Sequence, residues 1–278
     1  MAPLFEVPGF SGDDLDVWGQ TLGWVGTLGA WTLFLSPIPT MRIIWKERDV
    51  QEFTEATYIA SLANCMLWVL YAFVTPGRLQ PLITNIGGML LQLSYCCVFV
   101  KCSTGGPRAR DIRFRMTCTV VGLAIVTVFV FGIIPAKLFH MTDFMGMVDD
   151  DDQTDVAMAQ SDVLGLLCLI FNIFMYAGPL AVVGEVIETK SVASMPLTIT
   201  LGTLLCSLCW ASYGLYVGDI FIGIPNWMGI VLGLAQICLY YTYAGGSDQS
   251  PSGKPNWWVD GNLKNEATRG SDAPYHLI

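Results

Sequence analysis

Seven windows of this sequence contain no Asp, Glu, Lys or Arg, and each is 21 to 28 residues long. A helix that crosses the hydrocarbon core of a bilayer needs about 20 residues. Only 13% of the 278 residues are charged, roughly half the fraction found in soluble domains. The sequence therefore predicts an all-α membrane protein with seven transmembrane helices. These predicted helices 1 to 7 occupy residues 17–41, 56–77, 79–100, 116–136, 163–184, 191–218 and 220–247.

The loops between the predicted helices differ in their content of lysine and arginine. Nine such residues follow predicted helices 1, 3 and 5, whereas two follow predicted helices 2, 4 and 6. Basic residues collect in the cytoplasmic loops of membrane proteins. The N-terminus is therefore predicted to lie outside and the C-terminus in the cytosol.

An internal repeat relates predicted helices 1–3 to predicted helices 5–7. Four landmark pairs recur in the same order at an offset of 142 or 141 residues. They are Pro37 with Pro179, Val50 with Val192, Trp68-x-x-Tyr71 with Trp210-x-x-Tyr213, and Asn85-x-x-Gly88 with Asn226-x-x-Gly229. Because predicted helix 4 adds one crossing, both copies run in the same direction. The architecture is thus 3+1+3, with parallel three-helix bundles joined by a linker helix.

This architecture divides the chain into six segments. They are an extracellular arm (1–16), a first three-helix bundle (17–101), a cytosolic loop with the linker helix (102–139), an acidic extracellular loop (140–161), a second three-helix bundle (162–244) and a cytosolic tail (245–278). The tail is rich in Gly, Pro, Asn and Ser, a composition typical of disorder.

The polar residues inside the predicted helices are neutral. Ion-coupled carriers and proton pumps usually need a charged residue in the membrane, whereas an amide both donates and accepts hydrogen bonds. A pathway lined by amides favours facilitated diffusion of a neutral, polyhydroxylated solute. No catalytic residue, metal site, cofactor or nucleic-acid partner is predicted. The amides are Asn64, Asn85, Asn172, Asn226, Gln92 and Gln236.

Several of these residues are related by the repeat and are predicted to lie close together. Asn85 and Asn226 should face each other near the pseudo-axis, either as contacts between helices or as ligands of a solute. Trp68 and Trp210 either pack between helices or offer flat faces to a solute. Positions four apart share a helix face, so four further residues should narrow the same cavity: Leu33, Asn64, Met175 and Cys206.

The chain resembles the SWEET family of sugar transporters over about residues 20–245. The resemblance rests on the segments LFLSPIPTMRIIW, FTEATYIASLANCMLWVLY, MYAGPLAVVGEVIETKSVASMPL, CWASYGL and DIFIGIPN. It implies a bidirectional sugar uniporter that works by alternating access, associates as a homo-oligomeric trimer, and resides in the plasma membrane or an endomembrane.

The resemblance also implies roles for the residues above. The two asparagines and two tryptophans would contact the sugar. The size of Leu33, Asn64 and Met175 implies a hexose such as glucose, although Cys206 is smaller than the asparagine often found there. Tyr71 and Asp219, at the outer ends of predicted helices 2 and 6, would form an outer gate. The residues alone also allow an interfacial tyrosine and a solvated aspartate.

Prolines within the predicted helices are candidates for hinges. A proline inside a helix removes a backbone hydrogen bond and kinks the helix. Pro37, Pro179 and Pro196 could be static kinks or, as the resemblance implies, pivots of alternating access. SWEETs usually have a fourth proline, and this chain has Thr57 in its place. A threonine perturbs a helix more weakly, by bonding a backbone carbonyl.

Two alternatives to a sugar uniporter remain at this stage. The first is an amino-acid carrier of the PQ-loop type, although Pro37 precedes Ile38 and Pro179 precedes Leu180 instead of glutamine. The second is a seven-helix receptor or scaffold that transports nothing, a class that does not predict a three-helix repeat.

Overall fold

The computed structural model describes residues 12–50, 53–103, 107–133 and 152–244, and within these ranges all regular secondary structure is helical. The helices are α1 (Gly12–Leu35), α2 (Ile38–Glu47), α3 (Ala56–Val74), α4 (Leu79–Cys102), α5 (Pro107–Val128) with a π-helical extension (Phe129–Ile133), α6 (Asp152–Met175), α7 (Ala177–Thr189), α8 (Leu197–Tyr216) and α9 (Ile220–Tyr243). The fold is therefore all-α, as predicted.

Within the described residues, six of the seven predicted transmembrane helices coincide with helical segments long and apolar enough to cross a membrane. They are Ala56–Val74, Leu79–Cys102, Arg108–Ile133, Met158–Thr189, Leu197–Tyr216 and Ile220–Tyr243. The first predicted window, 17–41, is not among them, and it is divided between α1 and α2 just as window 163–184 is divided between α6 and α7. Glycine, threonine and three aspartates dilute the apolar content of α1.

Two helices break at repeat-equivalent places. The first break, at Ser36 and Pro37, separates α1 from α2, and the second, at Tyr176, separates α6 from α7. Pro37 is the N-cap of α2, and Pro179 lies in the first turn of α7. A proline offers no N–H group to the carbonyl four residues earlier, so each helix is interrupted one turn before the proline or directly at it.

The other two hinge candidates lie at helix starts. Pro196 is the N-cap of α8, with extended backbone (φ −63°, ψ 120°), so the expectation of a kink inside a helix there was wrong. Thr57 lies in the first turn of α3. The first N–H groups of a helix have no partner within the helix, and proline and threonine are therefore both compatible with this position.

The expected segment boundaries also shift where helices begin early. Residues 152–161, expected in the acidic loop, form the first turns of α6, so the loop assignment of these residues was wrong. Helix α1 likewise begins at Gly12, inside the expected arm. The rest of the acidic loop and the tail from residue 245 lie outside the described residues.

The two bundles meet along two interfaces that are images of each other under the repeat. Helix α1 packs against α8, and α3 packs against α6, while α4 and α9 hold the other helices within their bundles. The linker helix α5 packs on α3 and α4 of the first bundle. Glycine permits a close approach at the first interface, because a Cβ atom on Gly26 would lie 3.0 Å from the indole of Trp210. Small residues serve the same purpose in other membrane helix pairs.

Candidate functional site

A cavity of about 230 Å³ lies between the two bundles. Seven of the eight residues predicted to bind the solute line it. They are Leu33, Asn64, Trp68, Asn85, Cys206, Trp210 and Asn226. Met175 does not line the cavity, because α6 ends at this residue and the following residue, Tyr176, lies against the cavity instead.

The lining of the cavity follows the repeat almost completely. Of its fifteen residues, fourteen form seven pairs at an offset of 142 or 141, and only Leu33 lacks its partner, Met175. The pairs are Ala30 with Asn172, Phe34 with Tyr176, Asn64 with Cys206, Trp68 with Trp210, Pro81 with Ile222, Thr84 with Pro225, and Asn85 with Asn226. The cavity therefore lies on the pseudo-axis that relates the bundles.

Four lining residues that were not among the predicted site residues could have been found from the sequence. Ala30 lies three residues before Leu33 and four residues before Phe34 on α1, and residues three or four apart share a helix face. Applying the offset of 142 to that face predicts Asn172 and Tyr176. Thr84 precedes Asn85 and was overlooked because its hydroxyl gives no separate signal in an apolar window.

The repeat-related asparagines adopt the same conformation. The Asn85 Nδ2 atom donates to the Pro81 carbonyl at 2.9 Å, and the Asn226 Nδ2 atom donates to the Ile222 carbonyl at 2.8 Å. Asn172 donates to the carbonyl four residues earlier in the same way. Each amide nitrogen is thus tied to its own helix, which leaves each side-chain oxygen available to a hydroxyl group in the cavity.

The side chain of Asn64 differs from these asparagines. Its Oδ1 atom is buried and has no hydrogen-bond partner among the described residues. A buried acceptor without a partner costs about 1–3 kcal/mol, and this one belongs to a residue that lines the cavity. A bound solute with a hydroxyl group can supply the missing donor.

The two tryptophans are oriented alike by repeat-related tyrosines. The Trp68 and Tyr71 rings are 5.5 Å apart with an interplanar angle of 89°, and the Trp210 and Tyr213 rings are 5.5 Å apart at 85°. Both indoles are buried and line the cavity. Edge-to-face contacts of this kind fix ring orientation, so the cavity has two rigid aromatic walls.

One end of the cavity is closed by a buried polar cluster at the α3–α4 and α8–α9 turns. The Tyr71 hydroxyl donates to Asp219 Oδ2 at 2.6 Å, and Arg78 Nε donates to the same oxygen at 2.7 Å. The side chains of Asp219 and Arg78 are 1% and 7% exposed. This burial is incompatible with an interfacial tyrosine and a solvated aspartate. Arg78 was predicted only as a loop charge, although the offset of 141 pairs it with Asp219.

The cluster contains a second cross-bundle contact on the opposite side of the pseudo-axis. The Tyr213 hydroxyl donates to Gln80 Oε1 at 3.2 Å, so each of the paired tyrosines reaches the start of the other bundle's last helix. Nearby, the hydroxyls of Thr75 and Ser161 are 2.8 Å apart. Among the described residues, the hydrogen bonds between the bundles lie at this end or beside the cavity, and none joins α2 to α7.

Comparison with known proteins gives one family for the whole arrangement. The family model described as "Sugar efflux transporter for intercellular exchange" matches residues 20–104 and again 162–248, which confirms the internal duplication. Bidirectional sugar transporter SWEET4 of Oryza sativa subsp. indica is 36% identical over 80% of this chain and 78% of its own length. Bidirectional sugar transporter SWEET5 of Arabidopsis thaliana is 34% identical over 80% of this chain and 85% of its own length.

A solved structure shares the fold. The 3.7 Å structure of a eukaryotic SWEET transporter is similar to this chain with a TM-score of 0.72 and 30% identity, over 83% of this chain and 99% of the solved one.

Proposed function

Because this chain belongs to the SWEET family of sugar transporters, we propose that it is a bidirectional facilitative uniporter for a monosaccharide, glucose or a related hexose. That it is a membrane protein and not an enzyme follows from the family. The observation that carries the finer proposal is the central cavity, in which two asparagines and two tryptophans are paired across the pseudo-axis.

The chemistry of the cavity suits a neutral sugar. Asn85, Asn226, Asn64 and Asn172 offer amide oxygens to sugar hydroxyls. Trp68 and Trp210 offer apolar faces to the C–H side of a pyranose ring. The lining contains no charged residue, which disfavours the amino group and carboxylate of an amino acid. A PQ-loop amino-acid carrier is accordingly the weaker proposal.

The size of the cavity favours a hexose over a disaccharide. Its volume of about 230 Å³ lies below the ~300–1,000 Å³ typical of sites for drug-sized ligands. Leu33 and Asn64 narrow it, while Cys206, the smaller partner of Asn64, leaves more room on the second bundle. In this proposal Met175 acts only indirectly, by supporting the wall next to Tyr176.

The closed polar cluster supports alternating access. In the orientation predicted from the basic loops, the cluster of Tyr71, Arg78 and Asp219 is the outer gate, and the structure corresponds to a state closed to the outside. Rocking of the bundles would break these contacts and close the opposite end. The proposed pivots are the two helix breaks, at Pro37 and just before Pro179, and the two helix starts, at Thr57 and Pro196.

The proposal also covers the orientation of the chain, its membrane and its assembly. The distribution of basic residues supports an external N-terminus and a cytosolic C-terminus. By family resemblance we place the protein in the plasma membrane, with an endomembrane as the alternative, and we propose a homotrimer.

The proposal is tested by tracer counterflow in proteoliposomes with glucose and sucrose, with and without a pH gradient. We expect glucose counterflow that does not depend on the pH gradient and that is lost in Asn226→Ala. Met228→Ala is the matched control, since Met228 is exposed on the same helix and does not line the cavity. Transport of sucrose without glucose would contradict the hexose assignment, and amino-acid counterflow without either sugar would favour the rival carrier.

A further inference from the structure

A second concave surface lies away from the sugar cavity, between the linker helix α5 and helices α3 and α6. It is a groove of about 660 Å³ with a nearly continuous apolar lining. Its walls include Ala60 and Ala63 of α3, Gly122 and Val126 of α5, and Ile170 and Phe174 of α6. Phe174 is 73% exposed, so the groove opens sideways, toward the position of the bilayer.

The dimensions of the groove match one leaflet of a bilayer. Along α5 its lining runs from Phe114 to Val126, which at 1.5 Å per residue is about 18 Å. Half of a hydrocarbon core of about 30 Å is ~15 Å. The groove thus extends from the start of predicted helix 4 (116–136) to about the middle of that helix, the depth that one acyl chain of a phospholipid reaches.

Positive charge is concentrated at one end of the groove. Arg115, the one charged residue of the lining, donates from Nη1 to Glu55 at 3.2 Å, yet its side chain is 56% exposed. An arginine has five N–H donors, so donors remain for a second acceptor. Three more arginines precede it on α5, and Asp111 is the one acidic residue among them in the sequence.

We propose that this groove binds one anionic phospholipid of the cytoplasmic leaflet. Its phosphate is held by Arg115 beside Glu55, and one acyl chain fills the apolar channel between α3, α5 and α6. Basic clusters between transmembrane helices on the cytoplasmic side are a recurrent setting for acidic lipid headgroups. The assignment to the cytoplasmic leaflet rests on the orientation proposed above. Lipid binding in this groove does not depend on the proposed transport of sugar.

Gly122 allows the channel to be blocked without a clash. A Cβ atom built on Gly122 meets no atom within 4 Å, so a phenylalanine at this position would extend into the groove. Ala124 is exposed and lies on the opposite face of α5, which makes Ala124→Phe the matched control for added bulk. Arg110, exposed and outside the lining, gives the matched control for lost charge, Arg110→Gln.

The test is native mass spectrometry of the purified full chain in detergent, titrated with phosphatidylglycerol or with phosphatidylcholine of the same acyl chains. We expect one phosphatidylglycerol per chain to be retained in preference to phosphatidylcholine. Arg115→Gln should weaken retention of phosphatidylglycerol about fivefold, the effect of one basic residue at an anionic surface. Gly122→Phe should abolish retention of both lipids. Both control variants should behave as the parent chain.

Three results would overturn the proposal. Equal retention of the two lipids would exclude recognition of the headgroup, and unchanged retention in Gly122→Phe would exclude the groove. Dissociation of an oligomer by Gly122→Phe would show that a second copy of the chain covers this surface. If Gly122→Phe does not fold, Ala60→Leu on α3 provides an independent block. Repeating the titration with Asn226→Ala separates this proposal from the sugar site, since lipid retention should not change.

Discussion

At the scale of single residues, two buried amide side chains allow an effect on sugar binding to be separated from an effect on stability. The side-chain oxygens of Asn64 and Gln92 are both buried without a hydrogen-bond partner among the described residues, but only Asn64 lines the cavity. Replacing a buried, unpaired polar group by an apolar one of similar size removes a desolvation cost of about 1–3 kcal/mol. We therefore expect Asn64→Leu to raise the melting temperature of the detergent-solubilised protein while lowering its sugar affinity.

Gln92→Leu is the matched control for this prediction. It should raise the melting temperature in the same way and leave the concentration dependence of counterflow unchanged. If Asn64→Leu destabilised the protein while Gln92→Leu stabilised it, the Asn64 oxygen would have a structural partner and would not be held for the sugar.

The two carboxylate oxygens of Asp219 have separate partners, and this separation can be tested by substitution. Oδ1 accepts from the backbone N–H groups of Phe221 and Ile222 and so caps α9, whereas Oδ2 accepts from Tyr71 and Arg78. Asparagine is also a good N-cap residue. Asp219→Asn should therefore keep the cap and lose the ion pair, leaving Arg78 buried without a counter-charge.

Removing one partner of a buried ion pair typically costs about 3–5 kcal/mol. We expect Asp219→Asn to lower the melting temperature and to increase labelling of Ser161→Cys by a maleimide reagent, because the gate opens. The double variant Arg78→Gln, Asp219→Asn removes both charges and should recover most of the melting temperature. No recovery in the double variant would mean that the cap, and not the ion pair, had been lost.

At the scale of helices, the two breaks are supported unequally. In the first bundle, the Tyr95 hydroxyl donates to the Phe34 carbonyl at 2.8 Å, in the last turn of α1, and the Tyr95 ring packs edge-to-face on Tyr58. The repeat-equivalent positions are Gln236 and Thr200, and they line an open cavity of about 360 Å³ beside the second break. At the second break the Tyr176 side chain itself donates to the Pro225 carbonyl of α9, but among the described residues no side chain donates to the Tyr176 backbone carbonyl. We therefore expect the backbone of the second break to be the more mobile one.

Hydrogen exchange measures this asymmetry. Backbone amides around Tyr176 should exchange faster than those around Pro37 in the unmodified protein. Tyr95→Phe removes one hydrogen bond, worth about 1 kcal/mol, and should speed exchange at residues 34–38 without affecting the second break. Gln236→Leu, the control at the equivalent position, should leave the first break unchanged. Equal exchange at both breaks would contradict the asymmetry.

The helices also show what the sequence could predict and what it could not. The charge-free windows located the membrane-spanning segments because a charged side chain inside a bilayer is costly and is therefore rare in such segments. They could not locate the ends of the helices. Pro37 and Tyr176 divide windows that contain no charged residue, and Pro196 lies in such a window yet precedes α8. Helix ends depend on backbone hydrogen bonds, which hydropathy does not record.

The site was predictable to the extent that the repeat determines it. Asn85, Asn226 and the two tryptophans line one cavity because the offset that pairs them in sequence also pairs them across the pseudo-axis. Met175 was misplaced because the break at Tyr176 changes which residue meets the cavity. The buried contact between Arg78 and Asp219 was missed because a charge at the end of a window gives no sign of its burial.

At the scale of the whole molecule, the two interfaces between the bundles determine which motion is available. One interface joins α1 to α8, and the other joins α3 to α6; the repeat relates the two. When one bundle rocks against the other, both interfaces therefore change in the same way. Hydrogen bonds between the bundles concentrate at the gate end. Opening that end therefore requires the loss of these contacts together, which predicts a gate with two discrete states.

A covalent bond across the gate tests whether that opening is needed for transport. The hydroxyls of Thr75, at the end of α3, and Ser161, on α6, are 2.8 Å apart and belong to different bundles. Cysteines at both positions should place their sulfur atoms close enough to form a disulfide, in which the Cβ atoms are ~3.5–4.5 Å apart.

In the double variant Thr75→Cys, Ser161→Cys, we expect an oxidant to stop glucose counterflow and a reductant to restore it. Each single variant should transport under both conditions. Because the disulfide is remote from the cavity, it should leave sugar binding from the open end intact. Continued counterflow by fully cross-linked protein would exclude rocking that opens this end.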